Sequence, residues 1–349
     1  MIEIGALDGA RVGREQRPAL VTSRTPLRVS LFGGGTDYPA WFERRPGAVI
    51  GFTIDKYIYM SALRLSSFVD YRYRLTYSRL ETVREVEEIQ HPVVRAVLLR
   101  EKYHAALDLS IQADLPASSG LGSSSAFTVG FLNLVSALKG VSRSRLELAR
   151  LAIDTEQNQL QERVGVQDQL DAAFGGINRF NFEGEGLSIH PLQIDAGEVD
   201  SFADWLLLVH TGISRRATDV LAEQLANTAG GRLDDALAAM FVLVDEAQTA
   251  LESLRGESLM RELARLLLEG WRLKRSLSTQ VSNSQIDELY DLGLHQGALA
   301  GKLCGAGGGG FLLLVVPPER RSGLVEALGA DRCVSFRVEH SGSVVRELW

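Results

Sequence analysis

A chain of 349 residues, 45% hydrophobic and 23% charged, has the length for two domains and enough apolar material for a core that needs neither disulfides nor a structural metal. Its two cysteines, Cys304 and Cys333, exclude a disulfide framework or a cysteine metal cluster and fit a reducing, cytoplasmic setting. A formal net charge of −7 speaks against a protein that coats nucleic acid; no apolar run is long enough to span a bilayer, and no secretory h-region is seen near the start.

In chain order, residues 27–32 read as a strand running into Gly33-Gly34-Gly35, and residues 48–63 as a second strand. Between Arg64 and Arg79, arginines interleave with Tyr71, Tyr73 and Tyr77, as on an RNA-binding surface. A period of two gives the plainer reading: Val69, Tyr71, Tyr73, Leu75 and Tyr77 on one strand face, with Arg72, Arg74 and Thr76 on the other. A helix starts near Pro92 with Val93, Val94, Val97 and Leu98 on one side. Leu107, Leu109, Ile111 and Ala113 then alternate with polar residues as a half-buried strand. It opens at Pro116 into a serine- and glycine-rich loop, and residues 126–138 are apolar nearly all round, which predicts a buried helix.

Ser144 and Glu147 have capping-box spacing, and the helix they start carries on through Ile153 and Glu156. Gly175-Gly176 marks a break, residues 206–210 a strand, and residues 216–294 a largely helical region. Strand-like runs return at 311–316 and 333–338. The class is α+β, with domains expected at 1–190 and 191–349.

Glycine clusters are often plain turns, but three stand in this chain beside strands or helices. The middle one runs Pro116, Ala117, Ser118, Ser119, Gly120, Leu121, Gly122, Ser123, Ser124, Ser125. Glycines let backbone N–H groups approach an anion, and the following helix turns its positive end toward it. Serine hydroxyls add donors to phosphate or oxygen ligands for Mg²⁺. No Lys-Ser/Thr follows the last glycine, so it is no Walker A loop. The last cluster, residues 305–310, matches G-x-G-x-x-G but opens into a strand, which excludes a dinucleotide fingerprint. The first places Thr36, Asp37 and Tyr38 after flexible backbone, where short polar groups suit sugar hydroxyls; an Asx turn is the plain alternative.

In this order the three loops resemble the GHMP kinase superfamily over nearly the whole chain. Pro26 to Leu31 with Gly33 to Tyr38 resembles its first motif, Pro116 to Ser124 its phosphate loop, and Lys302 to Gly310 its third motif. The Gly-Gly-Gly before Thr36-Asp37-Tyr38-Pro39, the run Gly165-Val166-Gln167-Asp168-Gln169, and His210 to Arg215 resemble heptose 7-phosphate kinases within it. The resemblance implies a two-domain GHMP kinase fold, with the active site in the cleft between lobes, using ATP and Mg²⁺ on the anomeric hydroxyl of a sugar phosphate.

By the same resemblance, Asp168 accepts the acceptor's proton and Arg28 stabilises charge on the transferring phosphoryl group. Glu156, twelve residues before Asp168 (168 − 156), would hold Mg²⁺ with the Ser123 hydroxyl, Ser124 being the runner-up. Gly34, Gly35, Thr36, Asp37, Tyr38, Asp168, Gly175, Gly307 and Gly308 would face the substrate. Arg215, Arg216 and Lys302 are candidates for a second phosphate. Expected partners are the sugar phosphate and ATP, without nucleic acid or membrane; a homo-oligomer is compatible. Three rival readings stand beside this one: a 1-kinase for an unphosphorylated fucose- or galactose-like sugar, a non-catalytic sugar and ATP sensor, and an ATP-dependent decarboxylase.

Overall fold

The computed structural model describes residues 19–66, 68–192, 194, 196–213 and 217–348, whose strands form two sheets. The larger contains β1 (Leu20–Phe32), β2 (Gly47–Arg64), β3 (Tyr73–Thr76), β4 (Leu80–Val83), β5 (Leu107–Ala113), β6 (Ile177–Glu183) and β7 (Gly186–Pro191). The smaller contains β8 (Leu206–His210), β9 (Ala300–Leu303), β10 (Phe311–Val315) and β11 (Cys333–Val334), in the order β11-β8-β10-β9. A final strand, β12 (Val344–Leu348), returns to the larger sheet and pairs antiparallel with β1, Leu20 opposite Leu348. The sheets therefore do not divide at a single point in the chain.

β2 is long enough to serve two neighbours. Its first part, from Gly47 to Phe52, pairs with β6, and its second, from Ile58 to Arg64, pairs with β5. It also runs along β1, so its first half is almost wholly buried and its residues are apolar without strict alternation. The apolar helix Ser123–Leu138 packs across β1 and β2, as its all-round hydrophobicity requires. Phe52 meets Phe202 edge-on at 5.4 Å and stacks on Phe336 at 5.8 Å, tying β2 to chain from the second half. Each such pair adds about 0.5–1.5 kcal/mol beyond burial.

Several expectations change on contact with neighbours. The tyrosine-arginine stretch forms a strand only from Tyr73 to Thr76; Tyr73 and Leu75 point into the core, and Arg74 ion-pairs with Asp108. Its aromatic face is thus spent on packing. The strand expected at 333–338 stops at Val334 because the next residues cross to the other sheet. There the Asp55 N–H donates to Arg337 O, and the Glu339 N–H donates to Thr53 O. The region 216–294 resolves into helices Ala217–Ala229, Asp234–Ser253, Gly256–Ser276 and Ser284–His295. Among the described residues, no helix is long and apolar enough to cross a membrane.

The capping box forms: the Glu147 N–H donates to Ser144 Oγ, and the Ser144 N–H donates to the Glu147 carboxylate. The helix it starts ends at Asp154, before Glu156. One wide turn, Thr155–Gln159, follows, closed by the Leu160 N–H donating to Thr155 O at 3.0 Å. That extra residue rotates Glu156 into the interior, where it is fully buried.

Candidate active site

The three glycine loops converge. The Arg28 N–H on β1 donates to Leu121 O at 3.0 Å, and the Phe311 N–H at the start of β10 donates to Ser119 O at 3.1 Å. The middle loop is thus stitched to the first motif on one side and the third on the other. A Cβ on Gly120 (φ +76°) would lie 2.5 Å from Cys304 O, and one on Gly305 would lie 2.6 Å from Gly120 Cα. Only glycine allows the two loops to touch backbone to backbone.

A cavity of about 260 Å³ opens where they meet. Arg28, Gly34, Gly35, Asp37, Tyr38, Ser118, Gly120, Gly122, Ser123, Ser124, Ser125, Asp168, Lys302 and Gly307 all line it. Gly122 caps the helix Ser123–Leu138 in the left-handed region, and the first intrahelical bond is Ala126 N–H to Gly122 O. The N–H groups of Ser123, Ser124 and Ser125 therefore have no intrahelical acceptor, at the positive end of a 16-residue helix.

Asp168 begins the helix Gln167–Phe174 and meets Arg28 in a two-pronged pair: Nε donates to Oδ1 at 2.8 Å and Nη2 to Oδ2 at 2.7 Å. Arg28 Nη1 donates to Gly120 O at 2.6 Å, so the guanidinium is fixed on both sides. Its side chain is 6% exposed, whereas that of Asp168 is 32% exposed and reaches the cavity. Burial alone would lower the Arg28 pKa, but the charges of Asp168 and Asp171 outweigh it and raise it. The charge of Asp171 also acts on Arg28, and that of Asp168 acts on both Asp37 and Asp171. Burial pushes Asp37 up to about 6 and Asp171 up to about 8.

Glu156 stands behind the loop, outside the cavity lining. Its Oε2 accepts from the hydroxyl of Ser125 at 2.9 Å and from Gln169 Nε2. Burial pushes its pKa up to about 7, against the hydrogen bonds from Gln169 and Ser125 that pull it down. Its Oε1 is buried and has no hydrogen-bond partner among the described residues. The hydroxyl brought to Glu156 is thus that of Ser125, in place of Ser123 or Ser124.

Other expected site residues are used for construction. Thr36 is fully buried, and its one hydroxyl hydrogen lies between Gly33 O and Ala48 O while its oxygen accepts the Ala48 N–H, which keeps it in the wall and away from a sugar. Gly175 turns toward the segment around Ser341, where a Cβ would lie 2.3 Å from Ser341 C, so it supports that crossing rather than the cavity. The Gly308 N–H donates to Val281 O, and Gly308 does not line the cavity. Pro116, Ser119 and Leu121 shape the loop from outside the lining, Ser119 and Leu121 through the carbonyls above. The Lys302 ammonium donates to Ser30 O and Leu31 O at 2.9 and 2.8 Å. Arg215 and Arg216 lie outside the described residues.

Three lining or supporting residues escaped sequence reasoning: Asp171, Lys274 and Gln224. A signal existed for Asp171, three residues after Asp168 and hence on the same helix face.

Comparison with known proteins agrees with this geometry. Residues 91–176 match the GHMP kinases N terminal domain, and residues 238–333 match the GHMP kinases C terminal domain. The chain is 29% identical to D-glycero-alpha-D-manno-heptose 7-phosphate kinase of Campylobacter jejuni, across 88% of this chain and 93% of that protein. It is 26% identical to the bifunctional fucokinase/GDP-fucose pyrophosphorylase of Arabidopsis thaliana, across 83% of this chain and 29% of that protein. Among solved structures, it shares its fold with a putative sugar kinase from Campylobacter jejuni, with TM-score 0.74 and 24% identity over 95% of this chain and 100% of that one. It also shares it with the Lactococcus lactis galactokinase complexed with galactose, with TM-score 0.70 and 19% identity over 94% and 95%. With both domain matches flanking a cleft that joins the three loops, the chain belongs to the GHMP kinase family of ATP-dependent phosphotransferases.

Proposed function

We propose that the protein is a sugar kinase that moves the γ-phosphoryl group of ATP onto the anomeric hydroxyl of D-glycero-D-manno-heptose 7-phosphate, giving the 1,7-bisphosphate. The observation that carries this reading is the Arg28–Asp168 pair, which lines the same cavity as the N-terminus of the helix Ser123–Leu138. A carboxylate able to take a proton and a site built for anions share one small space. The similarity to the Campylobacter jejuni enzyme over most of both chains supports the choice of substrate.

Phosphoryl transfer asks chiefly for positioning and charge stabilisation. The free N–H groups at Ser123, Ser124 and Ser125, with the hydroxyls of Ser118, Ser123 and Ser124, hold the ATP phosphates. Gly120 lets the third loop close against this one, and Gly122 leaves room for the Arg28 side chain. Arg28 offsets charge on the transferring group, and its two bonds fix the plane of the Asp168 carboxylate. Asp168 takes the proton of the anomeric hydroxyl, which is more acidic than that of an ordinary alcohol. Gly34, Gly35, Asp37 and Tyr38 form the wall on the sugar side.

The donor set fits Mg²⁺. The unpartnered Glu156 Oε1 is an oxygen suited to a hard cation, and Mg²⁺ usually takes only one or two carboxylates. Among the described residues, no group of three or more acidic, histidine or cysteine side chains is placed to hold a metal ion, as a richer site would need. Glu156 would hold the ion with a serine hydroxyl, Ser123 or Ser125. When bound, Mg²⁺ supplies positive charge to the phosphate oxygens.

The test is ATP consumption against a panel of sugars and sugar phosphates, with the new phosphate located by NMR. We expect the heptose 7-phosphate to exceed the free heptose by at least about tenfold in kcat/KM, the worth of one charge-assisted contact. Equal rates would instead make the protein a kinase for an unphosphorylated sugar, as the likeness to fucokinase allows.

A further inference from the structure

Two lysines unused by this mechanism stand in the wall of the same cavity. Lys274, near the end of the helix Gly256–Ser276, is 9% exposed, and its ammonium donates to Leu303 O at 2.7 Å and to Gly305 O. Lys302 on β9 is 6% exposed and donates to Ser30 O and Leu31 O. The titratable groups facing Lys274 are Lys302, Cys304 and Arg28; those facing Lys302 are Cys304 and Arg28. Among the described residues, no carboxylate faces either. An ammonium has three N–H donors, and each of these has two bonded to carbonyls, which leaves one.

Buried cations are ordinarily paired with an anion or give up their proton. Two of them on one cavity wall, each with a donor to spare and no carboxylate facing it among the described residues, make a locus for a doubly charged anion. We propose that Lys274 and Lys302 form a phosphate-binding site in the cleft, gripping a phosphate dianion with their remaining N–H groups. The proposal rests on the kinase reading above and adds Lys274 to it. The phosphate has two possible sources, the remote phosphate of the acceptor or a phosphate of the nucleotide.

The site carries its own signature. Burial holds Lys302 down at about 8 and Lys274 well below the usual lysine range. An arriving dianion favours the charged ammonium, so binding near pH 8.5 draws protons from solution. Phosphate esters are already dianionic there, so they release none.

Calorimetric titrations of the wild-type protein with heptose 7-phosphate, free heptose and ADP, in two buffers of different ionisation enthalpy, count those protons. Uptake is expected with at least one phosphate ligand and none with free heptose. Lys274→Gln and Lys302→Gln, whose amides still donate to the carbonyls, should lose the uptake. If the acceptor supplies the phosphate, each variant lowers kcat/KM for the heptose phosphate by ~10- to 100-fold and leaves free heptose and the KM for ATP unchanged. If the nucleotide supplies it, the KM for ATP rises by that factor with either acceptor. No uptake by wild type with any phosphate ligand overturns the site, whether or not the variants fold. Uptake that persists in well-folded variants overturns it as well. Free heptose equalling its phosphate on wild type sinks only the substrate reading, and the ADP and ATP measurements still decide the lysines.

Discussion

Two carboxylates serve this cleft, and they are supported in opposite ways. Asp168 is gripped at both oxygens by Arg28, which is itself anchored to Gly120 O, and it keeps a third of its side chain open to the cavity. Glu156 is fully buried, accepts neutral donors on one oxygen, and has no partner among the described residues on the other. A carboxylate paired with a guanidinium is oriented and ready to meet a hydroxyl. A carboxylate surrounded by neutral groups is uneasy as an anion until a cation arrives. The two acids are even joined, since Gln169, next to Asp168, donates to Glu156. Support, more than residue type, divides their labour.

The sharpest way to break this contrast is Asp168→Asn. An amide keeps one oxygen to accept from Arg28 but loses the second bond and takes no proton, so kcat should fall by ~10²- to 10⁴-fold while circular dichroism and ATP binding stay as in wild type. Turnover within a few-fold of wild type would strip Asp168 of its role.

Glu156→Gln should act through the metal. The Mg²⁺ concentration for half-activity should rise about tenfold, while wild type itself should need more Mg²⁺ as pH falls through about 7, where Glu156 gains its proton. Without metal the pH effect concerns stability. This carboxyl binds its proton more tightly folded than unfolded, so its contribution declines as pH rises from 4.5 through about 7. Asp171 adds a decline of the same sign extending to about 8. Thermal melts of the metal-free variant should therefore vary less between pH 5 and 7 than those of wild type. A Mg²⁺ titration and a melt profile both unchanged would place the ligand elsewhere.

Ser125→Ala is the mildest probe. It removes one donor from Glu156 Oε2, worth about 1 kcal/mol, and should move the Mg²⁺ requirement a few-fold in the direction of Glu156→Gln. If Ser123→Ala has that effect and Ser125→Ala none, the hydroxyl nearest Glu156 is not the one that matters.

Features set by backbone geometry were legible in the sequence. Gly120 and Gly305 could be singled out because close approach and positive φ admit no other residue, and the buried helix Ser123–Leu138 because its side chains are apolar all round. Arg28 and Asp168 came through motif likeness, for nothing in local spacing brings residues 140 positions apart together. What stayed hidden depends on the opposite neighbour. The Thr36 hydroxyl was offered to a sugar because sequence does not show Ala48 across from it. Lys274 looks like a cation placed to complement a helix C-terminus, and only the packing of β9 and the third loop reveals its burial. The strand after Cys333 was cut short by a partner in the other sheet, which local pattern cannot announce.

The pairing of β12 with β1 carries a consequence for how the molecule is made. Leu20 meets Leu348, and the Ala19 N–H donates to Leu348 O at 3.1 Å. During synthesis, β1 leaves the ribosome with one edge open and keeps it open until the whole smaller sheet has been translated. Closing so long a loop is costly in chain entropy and delays completion of the larger sheet. Meanwhile the exposed edge is a template for the wrong strand, and a chaperone that shields it has the longest task in the fold. Once closed, the same ladder acts as a clasp. A protease cut anywhere between the two sheets would leave fragments that still share five rungs of one sheet, from Leu20–Leu348 to Arg24–Val344.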